Sequence, residues 1–141
     1  MKWNLPKTPY KVFANIPFNK TTEIIRKLTN DINPPDETWL VIQKGAAKRF
    51  IGKPDESLSS LTIKPFFDSE IIYYFRREDF HPAPSVDVVL LHFIKKSEPD
   101  VETADRYLYN RFLSENFYRS GEMLYVQWLG LFRRWLKHNR K

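Results

Sequence analysis

The 141-residue sequence predicts an α/β fold followed by a small helical part. Two observations predict the first part: a strand–helix–strand pattern within residues 12–42, and two further strand-like runs at 70–75 and 86–94. A third observation, a helical pattern in the last third of the chain, predicts the second part. We therefore expect an α/β domain over residues 1–96 and a helical domain over residues 97–141.

The first three elements form one predicted unit. A short apolar strand is expected at 12–14, and a helix follows, which Thr22 can cap. Pro34 and Pro35 end this helix, because proline cannot continue one. The continuous apolar run at 39–42 is typical of a strand buried on both faces. Strand, helix and strand in this spacing predict parallel pairing with a right-handed crossover.

Two short helices and a stiff loop are predicted next. The first helix, at 45–50, is basic, and the second lies within 57–67. The loop between the last two strands contains Pro82 and Pro84, which hold its backbone extended. Phe80 is therefore presented from a pre-ordered segment.

The helical part contains two predicted helices, one from Asp100 onwards and one after Gly121. The first is expected to bury one face made by Val101, Ala104, Leu108 and Phe112. The second is expected to bury Leu124, Trp128, Leu131 and Trp135.

The charge of the chain favours a polyanionic partner. The net charge at pH 7 is +6, and the pI is about 9.5. A cluster of cations without an acid ends the chain: Arg133, Arg134, Lys137, Arg140 and Lys141. A solvated helix end, whose cations suit the helix dipole, is the alternative interpretation of this cluster.

Composition excludes several classes of function. The absence of cysteine excludes disulfides, thiolate metal sites and a cysteine nucleophile, and fits a reducing compartment. His81, His92 and His138 share no metal-ligand spacing, so no metal site is predicted. No apolar run approaches the roughly 20 residues of a membrane span, and no signal peptide is recognisable. We expect a cytoplasmic protein without a membrane partner.

The segment Asn15-Ile16-Pro17-Phe18, the Asn-Ile-Pro-Phe motif, follows directly after the first strand. An asparagine side-chain oxygen and a carbonyl beside proline are two fixed acceptors, which together could hold the two hydrogens of an exocyclic amine. An adjacent phenylalanine could stack on the ring that carries this amine, as proteins do with extruded bases. An Asn-Pro turn with a core phenylalanine explains the same four residues, so the motif alone leaves both interpretations open.

Three motifs in order resemble the Erm-type ribosomal RNA adenine-N(6) methyltransferases, which are relatives of the KsgA/Dim-type dimethyltransferases. ANIPFNKTTEIIRKL at 14–28 is similar to the fourth motif of that family, and KGAAKRF at 44–50 is similar to a segment ending in Ala-Lys-Arg. REDFHPAPSVD at 77–87 is similar to the family's Phe-X-Pro-X-Pro-X-Val loop. Ala83 and Ser85 stand where the family usually has lysines, which could weaken RNA contacts there.

The resemblance implies a fold, a reaction and a set of residues. The fold would be the C-terminal half of a class I, Rossmann-like methyltransferase sheet followed by a helical RNA-binding domain. The reaction would transfer a methyl group from S-adenosylmethionine to an adenine amine of 23S ribosomal RNA, a modification linked in the family to macrolide, lincosamide and streptogramin B resistance. Asn15 and the Pro17 carbonyl would bind the amine, Phe18 and Phe80 would contact the two faces of the adenine, and Asn15 would also contact the cofactor.

Contacts with ribosomal RNA are expected from polar and basic side chains in both parts of the chain. Each of them could equally be a solvated surface residue. The candidates are Thr22, Arg26, Lys27, Lys44, Lys48, Arg49, Arg133, Arg134 and Lys137.

The cofactor motifs of such an enzyme are missing from the sequence. None of the four glycines makes a Gly-X-Gly, and no strand with an acidic ribose ligand precedes the first predicted strand. We expect that the chain alone neither binds S-adenosylmethionine tightly nor turns over, and that an N-terminal half would complete it. A non-catalytic RNA-binding module and an inactive remnant are the two alternative hypotheses.

Overall fold

The computed structural model describes residues 4–119 and 122–139. The predicted α/β class is confirmed by its elements. Their order is β1 (Lys11–Asn15), α1 (Thr21–Thr29), β2 (Glu37–Gln43), α2 (Lys44–Ile51), α3 (Leu58–Ile63), β3 (Phe67–Tyr74), β4 (Val88–Lys95), α4 (Arg106–Asn116) and α5 (Tyr125–Asn139). Short 3-10 turns lie at Phe18–Lys20, Arg77–Asp79, Thr103–Asp105 and Phe117–Arg119.

The four strands form one mixed sheet in the order β1-β2-β4-β3. β1 pairs with β2 in parallel, as predicted, whereas β4 is antiparallel to both β2 and β3. Consequently β1, β2 and β3 end, and β4 begins, at the same end of the sheet, which we call the carboxyl end. The loop between β3 and β4 also lies there.

The described chain divides into two compact units. The first lies within Met1–Lys48 and Phe67–Lys95, and the second within Arg49–Phe66 and Lys96–Lys141. Residues 49–66 therefore pack with the C-terminal helices, although the sequence-based division assigned them to the α/β domain. The functional boundary near residue 96 stays a prediction.

Side-chain contacts explain why the segment around α3 packs with α4. The Tyr109 hydroxyl donates a hydrogen bond to the Leu61 carbonyl, and both residues are buried. The Arg106 guanidinium lies 4.2 Å from the centroid of the Phe66 ring. No periodicity in the sequence reveals such contacts, because they join residues 40 or more positions apart.

The core of the first unit lies on the two central strands. Leu40 of β2 is opposite Leu91 of β4, and Ile42 is opposite Val89. All four side chains are completely buried. The predicted burial of β2 is thus confirmed for its apolar centre.

The second unit has an aromatic core. The rings of Tyr109 and Phe132 meet edge to face at 5.1 Å, and Phe112 meets Trp128 in the same way at 6.0 Å. Trp128 is buried as predicted, but Leu124 is 68% exposed, so that prediction is wrong. Leu124 precedes the first residue of α5, Tyr125, and is therefore not on the buried face of that helix. Its backbone N–H donates a hydrogen bond to the Gln127 side-chain oxygen.

A second correction concerns the start of α4. Ala104 is exposed because the chain forms the 3-10 turn Thr103–Asp105 before α4 begins at Arg106. Gly121, Arg140 and Lys141 of the sequence-based predictions lie outside the described residues. Within 4–119 and 122–139, no helix is both long and apolar enough to span a bilayer.

The buried centre of the sheet makes a stability prediction possible. Leu40→Ala should lower the free energy of unfolding by about 2–5 kcal/mol, because it leaves a cavity between paired strands. Urea denaturation followed by circular dichroism measures this change. Ile32→Ala is the matched control, since Ile32 is fully exposed and its truncation should leave the midpoint unchanged. Equal midpoints for both variants would contradict the buried position of Leu40.

Candidate functional site

The Asn-Ile-Pro-Phe motif lies at the carboxyl end of the sheet. Asn15 is the last residue of β1 and is in register with Val41 of β2. Ile16 is only 4% exposed, whereas Asn15, Pro17 and Phe18 are exposed on either side of it. Burial of one aliphatic side chain therefore anchors the motif while its polar and aromatic groups face solvent.

A 3-10 turn orients the carbonyls that follow Ile16. The Pro17 carbonyl accepts a hydrogen bond from the Lys20 backbone N–H at 2.9 Å, and the Phe18 carbonyl accepts one from the Thr21 hydroxyl at 3.1 Å. A carbonyl oxygen has two lone pairs, so the Pro17 oxygen keeps one for a ligand. The turn thus fixes the predicted acceptor and also uses half of its capacity.

The two predicted stacking residues are both at the carboxyl end. Phe18 is 38% exposed, which disfavours its interpretation as a core phenylalanine. Phe80 is half-buried in the loop between β3 and β4. Its ring packs edge to face on Phe75 at 5.3 Å, so one side of Phe80 is held by the protein.

Asp79 organises the turn that leads to Phe80. Its carboxylate accepts hydrogen bonds from the Arg76 backbone N–H at 2.8 Å and from the Arg76 guanidinium at 3.1 Å. The backbone hydrogen bond is the main reason why the pKa of Asp79 is lowered, and the guanidinium adds to it. Arg77 reaches Asp87 at 3.3 Å across the same loop. These contacts were not anticipated from the sequence, where the loop was described by its prolines alone.

The predicted RNA-binding residues of the first unit lie on the two helices that follow β1 and β2. Thr22 and Arg26 are one turn apart on α1, Thr22 half-buried and Arg26 exposed, and Lys27 pairs with Asp31 at 3.8 Å. On α2, Lys44 and the exposed Lys48 are also one turn apart. Because α2 begins directly where β2 ends, Lys44 is at the carboxyl end, as are Asn15 and Phe80.

The other predicted RNA-binding residues belong to the second unit. The Arg49 guanidinium lies 4.9 Å from the centroid of the Phe50 ring. Arg133 donates to the Asp100 carbonyl at 3.4 Å, so part of its donor capacity is used within the unit. Arg134 and Lys137 are exposed on α5.

The described residues do not fit a site for S-adenosylmethionine. Gly45 lies in the first turn of α2, and Gly130 lies within α5. Gly52 ends α2 with a φ of 76°, where a Cβ would collide with Glu56 and Ser60. No strand in residues 4–119 and 122–139 therefore leads into a turn with two closely spaced glycines, which is what backbone approach to a nucleotide requires.

One aromatic group at this end was missed by the sequence analysis. Tyr73 and Tyr74 end β3 and Phe75 follows directly, and the sequence identified all three only as part of a strand. Three consecutive aromatic residues cannot all face the core of a two-faced sheet. This alternation of side chains between the two faces is the sequence signal that could have predicted an exposed aromatic residue here.

A comparison with protein families matches residues 1–133 to the ribosomal RNA adenine dimethylases. A ribosomal RNA small subunit methyltransferase A from Listeria monocytogenes is 35% identical over 103 residues, covering 71% of this chain and 35% of the relative. An rRNA adenine N-6-methyltransferase from Bacillus anthracis is 34% identical over 146 residues, covering 100% of this chain and 50% of the relative. The chain thus spans half or less of the length of these curated relatives.

Two solved structures have the same fold. The 23S rRNA methyltransferase ErmE superimposes with a TM-score of 0.74 at 22% identity, over 84% of this chain and 49% of that one. A dimethyladenosine transferase from Plasmodium falciparum superimposes with a TM-score of 0.69 at 24% identity, over 98% and 51%. The predicted Rossmann-like methyltransferase sheet with a helical part is confirmed by these superpositions.

The Asp79 contacts predict a pH-dependent loop. Because the pKa of Asp79 is lowered in the folded protein, the turn is stabilised when the carboxylate is ionised, and this stabilisation disappears as the pH falls through the lowered pKa. We expect the NMR shift of the Arg76 amide to titrate with a midpoint below the usual value of about 4. Asp79→Asn should abolish this titration, and a midpoint above about 4 in the unmodified protein would contradict the prediction.

Proposed function

Because the chain belongs to the ribosomal RNA adenine dimethylase family, we propose that it is the adenine-recognising part of an S-adenosylmethionine-dependent rRNA methyltransferase. The transferred methyl group would go to the exocyclic amine of an adenine in 23S ribosomal RNA. One observation carries this proposal: the Asn-Ile-Pro-Phe motif ends a parallel strand, with Ile16 buried and its neighbours exposed. That arrangement leaves an amide, a carbonyl and an aromatic ring free to meet a ligand.

The proposed roles follow from hydrogen-bonding capacity. The Asn15 side-chain oxygen and the remaining Pro17 lone pair accept the two amine hydrogens, so the nitrogen lone pair points outward. Phe18 and Phe80 hold the two faces of the base, which must leave its helix to be reached. Positioning would supply most of the catalysis. The amine nitrogen would bond to the methyl carbon as the carbon–sulfur bond of the sulfonium breaks, the neutral thioether would leave, and the amine proton would pass to water, so no residue is assigned as a general base. S-adenosylmethionine supplies that methyl when bound.

The choice of 23S over small-subunit RNA rests on the extent of similarity. The rRNA adenine N-6-methyltransferase relative matches the whole chain, whereas the small subunit methyltransferase A relative matches 71% of it. The three Erm-type motifs point in the same direction. We further propose a cytoplasmic role in rRNA methylation, with macrolide, lincosamide and streptogramin B resistance as its consequence.

The donor site is proposed to come from the part of the relatives that this chain does not span. The described glycines, which do not form a nucleotide-binding turn, support this proposal. The position of β1 as an edge strand of the sheet supports it as well. Phe13 of β1 is 70% exposed, which is unusual for an aromatic strand residue and would be explained by an added layer. Alone, the chain would neither bind S-adenosylmethionine tightly nor methylate RNA.

A non-catalytic RNA-binding module is the second candidate function, and the same glycine positions favour it. Such a module would retain Asn15, Phe18, Phe80 and the basic helices without ever meeting a methyl donor. An inactive remnant would bind neither ligand. RNA binding without methylation in the reconstituted mixture described next would support the module.

Reconstitution tests the enzymatic proposal. The half of the Bacillus anthracis relative that this chain does not match is produced separately, mixed with this chain, and assayed for methyl transfer to 23S ribosomal RNA. Asn15→Ala should reduce the rate about 100-fold or more, because the amine loses one of its two positioning acceptors. Asn19→Ala is the matched control, since this neighbouring exposed amide has no proposed role.

Two results would contradict the proposal, one from that assay and one from a binding measurement. Equal rates for the Asn15 and Asn19 variants would remove Asn15 from the site. Micromolar binding of S-adenosylmethionine to this chain alone, measured by calorimetry, would show that the donor site does not need the added part.

The RNA contacts predict a specific salt dependence. Lys48→Ala should reduce the slope of log affinity against log salt by about 1, because one phosphate contact is lost. Lys95→Ala removes the same charge at the opposite end of the sheet, where Lys95 pairs with Asp36, and should leave the slope unchanged. Gel-shift titrations at several salt concentrations measure both. Identical slopes for the two variants would exclude a phosphate contact at Lys48.

A further inference from the structure

The last residues of β3 expose more aromatic surface than a strand normally does. The register of β3 against β4 shifts between Ile71 and Tyr73, so the strand is irregular at Ile72. Beyond this point, Ile72, Tyr73 and Tyr74 are 43%, 51% and 56% exposed. Because β3 ends at the carboxyl end, this surface is at the same end of the sheet as the Asn-Ile-Pro-Phe motif, although β3 and β1 are its two opposite edge strands.

The ring of Phe75 connects this surface to Phe80. Phe75 packs edge to face on Phe80 at 5.3 Å with an interplanar angle of 66°, and on Tyr73 at 4.9 Å with an angle of 74°. We call Tyr73, Phe75 and Phe80 the aromatic row. In edge-to-face packing a neighbouring ring covers at most one face, so Tyr73, which is 51% exposed, keeps at least one face that Phe75 does not cover.

The charges of the loop that carries Phe80 disfavour phosphate binding to that loop. Arg76 pairs with Glu78 at 3.4 Å and with Asp79 at 3.1 Å, and Arg77 pairs with Asp87 at 3.3 Å. The acids of this loop thus neutralise its two arginines. The loop itself therefore offers a polynucleotide aromatic faces, and such faces bind bases by stacking. Lys44 of α2, whose Nζ lies 5.6 Å from the centroid of the Tyr74 ring, is a cation outside this loop.

We propose that Tyr73 stacks on a nucleobase next to the target adenine, and that Phe75 positions Tyr73 relative to Phe80. This inference rests on the proposed function, and it adds a flanking, single-stranded nucleotide to the recognised substrate. Phe80, at one end of the aromatic row, contacts the target adenine. Tyr73, at the other end, contacts the base next to that adenine. Continuity of the row with Phe80 favours RNA over a protein as the occupant of this surface.

Binding of an RNA hairpin tests the inference. The loop of the hairpin contains adenines, and 2-aminopurine replaces one base beside an adenine at a time, so that stacking quenches its fluorescence. Tyr73→Leu should weaken binding about 5- to 100-fold, the range for losing one base–aromatic stack, and should abolish the quenching. The slope of log affinity against log salt should stay unchanged, because no phosphate contact is lost.

Two variants serve as controls. Tyr73→Phe keeps the ring and should retain both affinity and quenching. Tyr118→Leu removes an 85% exposed tyrosine from the second unit and should bind as the unmodified chain does. Together they separate a stacking role of Tyr73 from a general effect of losing surface tyrosine.

The outcomes distinguish this inference from the proposed function. If the unmodified chain binds and Tyr73→Leu binds equally well, stacking is overturned while RNA recognition stands. If the unmodified chain does not bind the hairpin, both are overturned. If Tyr73→Leu and Tyr73→Phe lose the same affinity for RNA, or if the slope of log affinity against log salt changes, Tyr73 makes a polar contact and does not stack. Either result would overturn the inference. Reduced self-association of Tyr73→Leu without any effect on RNA would assign the surface to a protein partner and overturn it too.

Discussion

The parallel pairing of β1 with β2 is the constraint on which the site depends. It places Asn15 opposite Val41, and therefore brings the end of β1 beside the end of β2, where α2 and Lys44 begin. Parallel strands require a long connection, which α1 provides. Because β4 then returns antiparallel, the loop carrying Phe80 reaches the same end of the sheet. If either direction were reversed, the Asn-Ile-Pro-Phe motif and Phe80 would lie at opposite ends of the sheet.

Short turns next to the strands hold the candidate site residues in place. Ile16 is buried between exposed neighbours, and the Lys20 N–H holds the Pro17 carbonyl in one orientation. On the other side, Asp79 ties the turn before Phe80 to Arg76. Both halves of the candidate site thus consist of short turns held by backbone hydrogen bonds. Such turns present side chains in fixed directions at little entropic cost on binding.

The proposed recognition divides stacking from charge. The loop between β3 and β4 neutralises its own arginines with acids and offers aromatic faces, whereas α1 and α2 carry exposed cations such as Arg26 and Lys48. Bases would therefore be read at the loop and phosphates at the helices. The uncharged Ala83 and Ser85 of the same loop are consistent with this division.

The sequence by itself determined the strands, the βαβ unit, the Asn-Ile-Pro-Phe motif and the family resemblance, because periodicity, proline and short motifs are local signals. The tertiary structure decided the rest. It packed residues 49–66 against α4 through Tyr109, and it exposed Leu124 by starting α5 at Tyr125. It also aligned Tyr73 with Phe80 through Phe75. These outcomes depend on strand register, helix starts and contacts between distant residues, which one sequence read locally does not encode.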